Sequence, residues 1–333
     1  MRASRGLLTV LVAIIAALTI VAAQNRTLQF VSPVRPPFTD APGKPRFALD
    51  LVEAALHRIN VTANTTLVAP GDFGRALLTG PYDGTAEAWR DSAREQALLF
   101  SEPYLENRLV LIGRAGTSVT AAALSELQGK RIAIIDGYAY GDENLAAGPA
   151  WVKSNAEPES LTMLLDGKVD YVLMDDLVVQ YLVAAYPEEA RTRLSIGTMP
   201  LLVRPVHMTL HRSLPDAAAI IRSFNGQITK MIVDRTYHKL LHVPWIYADV
   251  DGDGRKELIS EADQAGQAPP QRAYNLFTDA GLGAAVKNDQ ERYYFGGAVY
   301  NGWSSVPDKY KVDHLDRPDH VHPTARIFTF SWK

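Results

Sequence analysis

The sequence predicts a mixed α/β protein built from two similar units. Two observations carry this prediction: strand-like and helix-like segments alternate along the chain, and the strand-helix-strand order of the first unit recurs from Leu124 onward. In the first unit, the strand "TLQFVSPV" is followed by "FALDLVEAALHRIN", with apolar residues at helical spacing, and by the strand "TTLVAP". A chain of 333 residues with 47% apolar and 21% charged residues is long enough for two domains, each with its own core.

The second unit repeats the order of the first. Before it, "ALLTGPYDGTAEAW" ends a short helix at a Pro/Gly break and continues into a buried segment. "LSELQGKRIAIIDG" then carries a helix into an apolar strand, and "SLTMLLDGKVDYVLMDD" does so again before the helix "LVVQYLVAAYP". The strand "LLVRPVHMTLHRS" leads into two closing helices, "DAAAIIRSFNGQITKMIV" and "RTYHKLLHVPW".

The N-terminus predicts export. Arg2 and Arg5 precede the apolar run Leu7 to Ala23, which is somewhat short of the roughly 20 residues that span a bilayer. The small residues at its end predict a signal peptide over residues 1–23, cleaved before Gln24, and therefore a periplasmic protein. An uncleaved membrane anchor is the alternative. The chain has no cysteine, which excludes disulfides and lipid attachment at a processed cysteine.

The charges are spread along the chain. The formal net charge is −3, without long basic or acidic runs, so no nucleic-acid partner is expected. A small-molecule solute is the expected partner, and the protein is expected to be a monomer. The sequence has neither a phosphate-binding loop nor a nucleophile elbow, which weakens an enzymatic interpretation.

Several motifs occur in an order that resembles a known family. They are "RPPF" after the first strand, "FALDLVEAA", "YDGTAEAWRDSAREQALLFSEPY", "LQGKRIAIIDG", "LLDGKVDYVLMDD" and "ITKMIVDRTYHKLLHVPW". Together they resemble the periplasmic solute-binding proteins of the polar amino acid uptake type (bacterial extracellular solute-binding protein family 3), over about Leu28 to Trp245. The resemblance implies a type II fold of two α/β lobes joined by two hinge crossings.

The resemblance also implies a division of the chain and a function. The first lobe would comprise residues 24–110 and 208–245, the second lobe residues 111–207, and the remainder, 246–333, would be a C-terminal extension. Such a protein captures a small polar or anionic solute for a membrane permease or sensor, as in an ABC transporter, and requires no cofactor. The alternatives are a dehydratase-like enzyme on the same scaffold, with Glu87 or Asp175 as acid/base, and a scaffold whose extension binds a protein.

The segment "FSEPYLENRLVLIGR" then has a specific place. In the resembling family, the chain leaves the first lobe after such an aromatic-proline segment and crosses by a strand that acts as a hinge. The outward crossing would be "LENRLVLIGR" and the return would be "PVHMTLHRS". An ordinary sheet strand after a proline turn is the alternative.

The same resemblance suggests ligand contacts. Arg94 falls where the family has an arginine that pairs with a ligand carboxylate, a task suited to the planar guanidinium fork. The segment is about one residue shorter than is usual in the family, so Arg90 could take this role instead, and a surface arginine is the further alternative. Asp175 falls where the family binds a ligand ammonium, whereas the adjacent Asp176 is expected to cap the following helix.

Departures from the family pattern predict an unusual pocket. Arg35 stands where an aromatic side chain often stacks over the ligand, and Phe38 remains as an apolar wall. Glu87 and Trp89 replace small hydroxyl residues, and Tyr138 stands where another hydroxyl contact is usual. The pocket would therefore carry extra charge and large rings, and would suit another organic anion or an amino-acid derivative better than a simple amino acid.

The extension opens with a calcium-loop pattern. In "YADVDGDGRKELIS", oxygen ligands stand at loop positions 1, 3, 5, 7 (main-chain carbonyl) and 9, namely Asp249, Asp251, Asp253, Arg255 and Glu257. Position 12 is Ser260, so the bidentate acid of a standard EF-hand is absent. A Ca²⁺ site is predicted, with a solvated Asp/Gly turn as the alternative. The later part predicts a few strands packed on one lobe, and His314, His320 and His322 a surface loop.

Overall fold

The computed structural model describes residues 26–146, 148–241, 245–270, 273–275 and 289–312. The predicted signal peptide, at 1–23, and the three histidines of the predicted surface loop lie outside these residues. Within them, every helix is too short or too polar to cross a membrane.

The first lobe is built around a five-stranded sheet. Its parallel strands β1, β2 and β3 are joined through helices, because a parallel connection must return over a face of the sheet. The elements, in chain order, are β1 (Arg26–Pro33), α1 (Phe47–His57), β2 (Val61–Val68), α2 (Pro70–Thr79), β3 (Gly84–Ala88), α3 (Ser92–Ala97) and β4 (Leu98–Phe100).

The second lobe repeats this arrangement, and the chain then returns to the first. The elements are β5 (Leu105–Arg114), a 3₁₀ turn (Leu124–Leu127), β6 (Arg131–Ile135), α4 (Asp142–Leu145), β7 (Ala150–Ser154), α5 (Glu157–Leu165), β8 (Tyr171–Asp175), α6 (Asp176–Ala185), α7 (Pro187–Arg193), β9 (Leu194–His211), α8 (Ala217–Val233) and α9 (Thr236–Leu241). The strand order is β2-β1-β3-β9-β4 in the first lobe and β7-β6-β8-β5-β9 in the second. Both lobes therefore have the same order, with one antiparallel strand in the fourth place.

Two long strands connect the lobes. β5 and β9 pair antiparallel from Leu105 opposite Val206 to Arg114 opposite Leu194. The far end of β9 pairs with β3 and β4 in the first lobe, whereas β5 pairs with β8 in the second. The two crossings predicted from the sequence correspond to these strands. The predicted lobe boundaries, at 110/111 and 207/208, fall inside β5 and β9 and stay a prediction.

Helical periodicity explains how α8 closes the first lobe. Its buried side chains recur every three or four residues and form one apolar face, made by Ile220, Ile221, Phe224, Ile228, Met231 and Ile232. That face packs against α1 and β9. α1 likewise buries an apolar face, so the two helices cover one side of the sheet.

Gly84 permits the close approach of β3 to β9. A Cβ atom built on Gly84 would lie 1.9 Å from the main-chain oxygen of Thr209, which belongs to the neighbouring strand. Gly84→Ala is therefore expected to lower the free energy of unfolding by about 1 to 3 kcal/mol or more. Gly74→Ala, inside α2 with no atom within 4 Å of its Cβ, is expected to raise it by about 0.5 to 1 kcal/mol. Urea unfolding of both variants tests this, and equal stability would contradict the steric argument.

The extension forms a second sheet. Its strands are β10 (Trp245–Ala248), β11 (Glu257–Ser260), β12 (Tyr274–Asn275), β13 (Arg292–Phe295) and β14 (Ala298–Asn301), in the order β12-β10-β11-β13-β14. One face carries an aromatic cluster in which Trp245 meets Tyr293 and Phe295 edge-on, with ring centroids 6.4 and 6.0 Å apart. The expectation of β structure after Trp245 is met in the described residues.

The extension contacts both lobes, although the sequence predicted packing on one. Arg235, between α8 and α9, donates to the main-chain oxygen of Ser260 at 3.0 Å and to Asp263 at 2.9 Å. On the other side, the Tyr274 hydroxyl donates to Asp176 of α6 at 2.8 Å. The guanidinium of Arg108, in β5, lies 4.1 Å from the centre of the Tyr274 ring. Tyr274 thus joins the extension to the second lobe beside a crossing strand.

Candidate functional site

The candidate site lies between the lobes, where strand ends from both meet. In each lobe the first and third parallel strands are neighbours and their connections leave on different paths, so a crevice opens at their carboxyl ends. Arg35 follows β1, and Glu87 and Trp89 lie at the end of β3. Tyr138 follows β6, and Asp175 ends β8. The local order of strands therefore explains why residues far apart in sequence face one cleft.

Arg35 occupies the middle of this cleft. A tight turn holds its backbone, with its N–H donating to Thr39 at 2.8 Å. Its side chain, 5% exposed, forms an ion pair with Glu87 of the same lobe. Its Nε lies 3.8 Å from Glu157 of the second lobe, and Nη1 donates to Asn107 at 3.3 Å. The guanidinium of the first lobe is therefore in contact with acids of both lobes.

Aromatic rings surround the same guanidinium. Its carbon lies 4.5 Å from the ring centre of Phe38, and 5.5 Å from those of both Trp89 and Tyr138. Trp89 also meets Tyr138 and Tyr140 edge-on, at 5.7 and 5.4 Å between centroids. These contacts cross the cleft, because Trp89 belongs to the first lobe and both tyrosines to the second. We call Arg35 with its three aromatic and three acidic neighbours the Arg35 cluster; the neighbours are Phe38, Trp89, Tyr138, Glu87, Glu157 and Asp175.

Burial controls the charges in the Arg35 cluster. Burial raises the pKa of Glu87 and Glu157, and the nearby Arg35 opposes this rise. Burial by itself lowers the pKa of Arg35, but the surrounding acids, Glu87 first, raise it above the usual value. The pKa of Asp175 rises to about 8 through burial and the charge of Asp176. Burial therefore favours the protonated forms of these acids, whereas the guanidinium of Arg35 favours their charged forms.

Asp175, and not Asp176 as predicted, caps α6. Asp175 has extended backbone angles, and its Oδ1 accepts hydrogen bonds from the N–H groups of Leu177 and Val178 at 2.9 and 3.4 Å. Asp176 is already the first helical residue, and its side chain accepts from the Tyr274 hydroxyl. Asp175 Oδ2 is buried without a hydrogen-bond partner among the described residues. A ligand contact by Asp175 stays a prediction.

The pKa of Asp175 predicts a pH dependence. Between the usual value of 3.8 and about 8, the folded state keeps a proton that the unfolded state has lost. The free energy of unfolding should therefore fall as the pH rises through this window. Asp175→Asn should reduce the slope, because asparagine still caps the helix but does not titrate. Urea unfolding across this window measures it. Asp170→Asn is the control that should leave the slope in this window nearly unchanged, because hydrogen bonds from Arg131 lower the pKa of Asp170 below 3.8 and so move its contribution out of the window; an unchanged slope in Asp175→Asn would contradict the prediction.

Arg94 lies on the first-lobe side of the cleft. It belongs to α3, whose N-cap Asp91 accepts from the Arg94 N–H at 2.8 Å. Its Nη1 donates to the main-chain oxygen of Trp89 at 2.9 Å, and its Nε lies 3.3 Å from Asp91. Burial lowers the pKa of Arg94, Asp91 opposes this, and the charge of Arg204 lowers it further. Two cations thus lie close together at a poorly solvated place.

Arg90 is much more exposed than Arg94. Its side chain is 52% exposed, pairs with Glu95 at 3.4 Å and lies over Phe100 at 4.9 Å. Arg204, from β9, donates to the main-chain oxygen of Arg90 at 2.8 Å and lies 5.9 Å from the centre of the Trp89 ring. Arg204 Nε is buried without a hydrogen-bond partner in the described part of the chain. Of the two arginines considered from the sequence, Arg94 is the buried one.

Two cavities adjoin these arginines. An inner cavity of about 30 Å³, room for one or two water molecules, is lined by Arg35, Glu87, Trp89, Arg94 and Tyr138, with Pro33, Phe73, Ala88 and Ala139. An outer cavity of about 570 Å³ lies at the mouth of the cleft, between the start of α3 and the loop after β6. Arg90, Arg204 and Lys153 contribute its positive charges, and Asp91, Asp136, Asp142 and Glu143 its negative charges. Tyr138 and Ala139 line both cavities and separate them.

The structure therefore brings together most of the predicted site and adds to it. Sequence reasoning missed Asn107, Glu157 and Arg204. Only Asn107 left a signal, since it lies in a run of three polar residues inside the otherwise apolar crossing strand. Glu157 and Arg204 reach the site through the pairing of the lobes, which no local pattern encodes.

The predicted calcium loop is a tight turn around an arginine. Asp249 accepts from the N–H groups of Gly252 and Gly254, at 2.7 and 2.8 Å. Arg292 of β13 pairs with Asp251, Asp253 and Glu257, at 2.9, 2.7 and 3.0 Å, and so supplies a positive charge to the acids. Arg255 contributes its N–H to Asp253 at 2.8 Å. One oxygen from each of Asp249, Asp251 and Glu257 lies within 4.8 Å of the others.

Comparisons with solved structures agree with this architecture. The GluR0 ligand-binding core in complex with L-glutamate has a TM-score of 0.56 and 16% identity, covering 66% of this chain and 98% of its own. An arginine transport-system periplasmic binding protein from Legionella pneumophila has a TM-score of 0.54 and 21% identity, covering 65% and 98%. AbpA from Streptococcus pneumoniae, an amino acid ABC transporter substrate-binding protein bound to L-arginine, gives 0.53 and 17%, covering 66% and 93%. This chain has the two-lobed fold of periplasmic binding proteins.

The shared fold confirms the predicted type II architecture. Sequence comparisons gave no match, either to a protein-family model or to a curated protein. At these identities the solved structures establish the arrangement of the lobes, and the ligand of this periplasmic-binding-protein fold has to be argued from its own cleft.

Proposed function

We propose that this protein is an exported solute-binding protein that captures a small anionic solute between its lobes and delivers it to a membrane permease or sensor. The observation that carries the proposal is the pair of arginines at the interlobe cleft, the buried Arg94 and the partly buried Arg204. In the described residues, the only carboxylate within ion-pair distance of Arg94 is Asp91.

An anion would relieve the electrostatic cost of this arrangement. Burial lowers the pKa of both Arg94 and Arg204, which means that their charged forms lack the solvation they would have in water. A guanidinium has five N–H donors in a planar fork, and the two contacts of Arg94 leave donors for a carboxylate. A carboxylate between the lobes would therefore gain charge-assisted hydrogen bonds and compensate two cations at once.

The cleft also offers a route to this place. The outer cavity has a volume typical of small-molecule sites and opens beside Arg204 and Arg90. The inner cavity, which Arg94 lines, is too small for an amino acid in this conformation, so entry requires the lobes to move apart about β5 and β9. Binding and lobe motion are therefore coupled in this proposal.

The structurally similar proteins support binding of a solute rather than catalysis. Two of the compared structures contain a small solute with a carboxylate: L-glutamate in the GluR0 core and L-arginine in AbpA. The dehydratase alternative has no support from them. The two residues considered for acid/base chemistry are also engaged, because Glu87 pairs with Arg35 and Asp175 caps α6.

Calorimetry and scattering test the proposal on one panel of solutes. The panel consists of two matched pairs, L-alanine with propionate and L-glutamate with glutarate; each pair shares its carboxylates and differs in the α-ammonium group. At least one solute is expected to bind and to reduce the radius of gyration in small-angle scattering, because the lobes close on it. No heat and no change in radius with any of the four would overturn carboxylate capture.

Export through a signal peptide and a monomeric state are also part of the proposal, as is a calcium site in the extension. The signal peptide over 1–23 is checked by the N-terminal sequence of the secreted protein, and a monomer by its mass in solution.

The loop 249–257 is proposed to bind Ca²⁺ with a dissociation constant in the range of extracellular modules, on the order of 10⁻⁴ to 10⁻³ M, in competition with Arg292. Millimolar calcium should then raise the melting temperature of the wild type, and more so of Arg292→Gln. No change in either protein would overturn the calcium site.

A further inference from the structure

We propose that Arg35 is a built-in cation that fills the cationic subsite of the cleft, so that the solute is a carboxylate without an ammonium or guanidinium group. This inference rests on the proposed function and narrows its class of solute. It concerns which anions enter and which are rejected.

The surroundings of the Arg35 guanidinium resemble a binding site for a cation. Three aromatic rings lie within 4.5 to 5.5 Å of it, and acids from both lobes lie on its polar edges. Such a cage of rings and carboxylates is the usual way for a protein to hold a cationic ligand group. Here the group is supplied by the chain itself, from a turn fixed by hydrogen bonds between Arg35 and Thr39.

The cleft beside Arg35 has little free space. The inner cavity beside Arg35 has room for one or two water molecules only, since Trp89, Tyr138 and the arginine itself fill the centre of the cleft. A second cationic group would have to displace Arg35 from Glu87. That displacement would leave a buried guanidinium without its partner, which costs much more than an exposed ion pair.

The charges around Arg35 also disfavour a second cation. Glu87 Oε2 and Asp175 Oδ2 are buried without a partner in the described residues, which by itself would suit a ligand ammonium. However, Glu87 already pairs with Arg35 and Asp175 already accepts from the N–H groups of α6, and burial raises the pKa of both acids, which disfavours the charged forms that a second cation would need. Arg94 and Arg204 nearby add positive charge that also disfavours an ammonium.

The matched pairs of solutes test this preference in the wild type. Glutarate should bind at least about tenfold more tightly than L-glutamate, or propionate than L-alanine, because the ammonium meets an occupied subsite. Equal or tighter binding of the amino acids would overturn the inference while leaving carboxylate capture intact. Absence of binding by all four would instead overturn the proposed function.

Chemical rescue tests the subsite itself, independently of any solute. Arg35→Ala removes the atoms of ethylguanidinium from the cluster, so millimolar ethylguanidinium should raise the melting temperature of this variant and leave the wild type unchanged. Ethylammonium should rescue less, because it has the charge but not the planar fork. Arg46→Ala is the matched control: Arg46 pairs with two acids, Asp50 and Glu53, and the Asp50 carboxylate is 44% exposed.

The outcomes separate the alternatives. Rescue of Arg35→Ala without rescue of Arg46→Ala supports a guanidinium subsite, and a variant that folds only with ethylguanidinium supports it equally. Equal effects on both variants, or none on either, would overturn the subsite. Without added ethylguanidinium, a folded Arg35→Ala variant should also lose the preference for glutarate over L-glutamate, because the acids of the cluster can then bind the ammonium group of L-glutamate.

Discussion

Arg94→Ala is expected to weaken binding of the carboxylate solute by about 2 to 5 kcal/mol without unfolding the protein. The reason is that closure of the lobes desolvates the carboxylate, and the variant leaves it without the guanidinium that lines the inner cavity. Since every 1.4 kcal/mol is about tenfold, a micromolar site would weaken toward the millimolar range. Calorimetry with the tightest solute of the panel measures this, and circular dichroism checks the fold.

Two further variants locate the effect at Arg94. Arg94→Lys should recover part of the affinity, because an ammonium keeps the charge and loses the two-pronged geometry. Arg90→Ala should have a much smaller effect, since the Arg90 side chain is half-exposed and pairs with Glu95. Affinity near that of the wild type in Arg94→Ala, or a larger loss in Arg90→Ala, would remove Arg94 from the proposed site.

The fold was predictable because its determinants are local. The apolar spacing of α1 and α8 and the short apolar strands β6 and β8 are properties of single segments, and their alternation restricts the topology to a few α/β arrangements. The crossing through β5 required the resemblance as well, because a strand that joins two lobes looks like any other strand in sequence.

The site was predictable in position but not in its internal contacts. Arg35 and Glu87 could be placed at the cleft from neighbouring motifs, yet nothing local shows that they pair with each other, 52 residues apart. The same holds for Glu157 of the second lobe, which meets Arg35 only through the docking of the lobes. The prediction for the two adjacent aspartates failed by one residue, because the helix begins at Asp176 and the cap precedes it.

In the extension, too, contacts between residues distant in sequence could not be predicted. The acidic loop was visible in sequence, but the arginine that pairs with it, Arg292, follows Glu257 by 35 residues and comes from the strand beside β11. Sequence alone therefore predicted a cation near these acids, whereas the structure supplies one from the chain.

Tyr274→Ala is expected to lower the free energy of unfolding by about 3 to 5 kcal/mol, the usual cost of removing a buried aromatic side chain. The ring is 6% exposed and packs on the Arg108 guanidinium, and its hydroxyl donates to Asp176 at 2.8 Å. Tyr274→Phe should cost less, about 1 to 3 kcal/mol, because it keeps the ring and removes only the hydroxyl, which donates to Asp176 and accepts from Gln180. Urea unfolding measures both variants. Tyr300→Phe is the control, since Tyr300 packs on Tyr310 within the extension.

The same contact should also restrain the lobes. The extension is held to the first lobe by Arg235 and to the second by Tyr274, so any motion about β5 must stretch or preserve the Tyr274 contacts. Tyr274→Phe should therefore increase amide exchange at the start of α6 and widen the distribution of radii in small-angle scattering, whereas Tyr300→Phe should change neither. If Tyr274→Phe loses stability but leaves the exchange of α6 and the scattering as in the wild type, Tyr274 contributes packing alone, and the extension does not restrain closure.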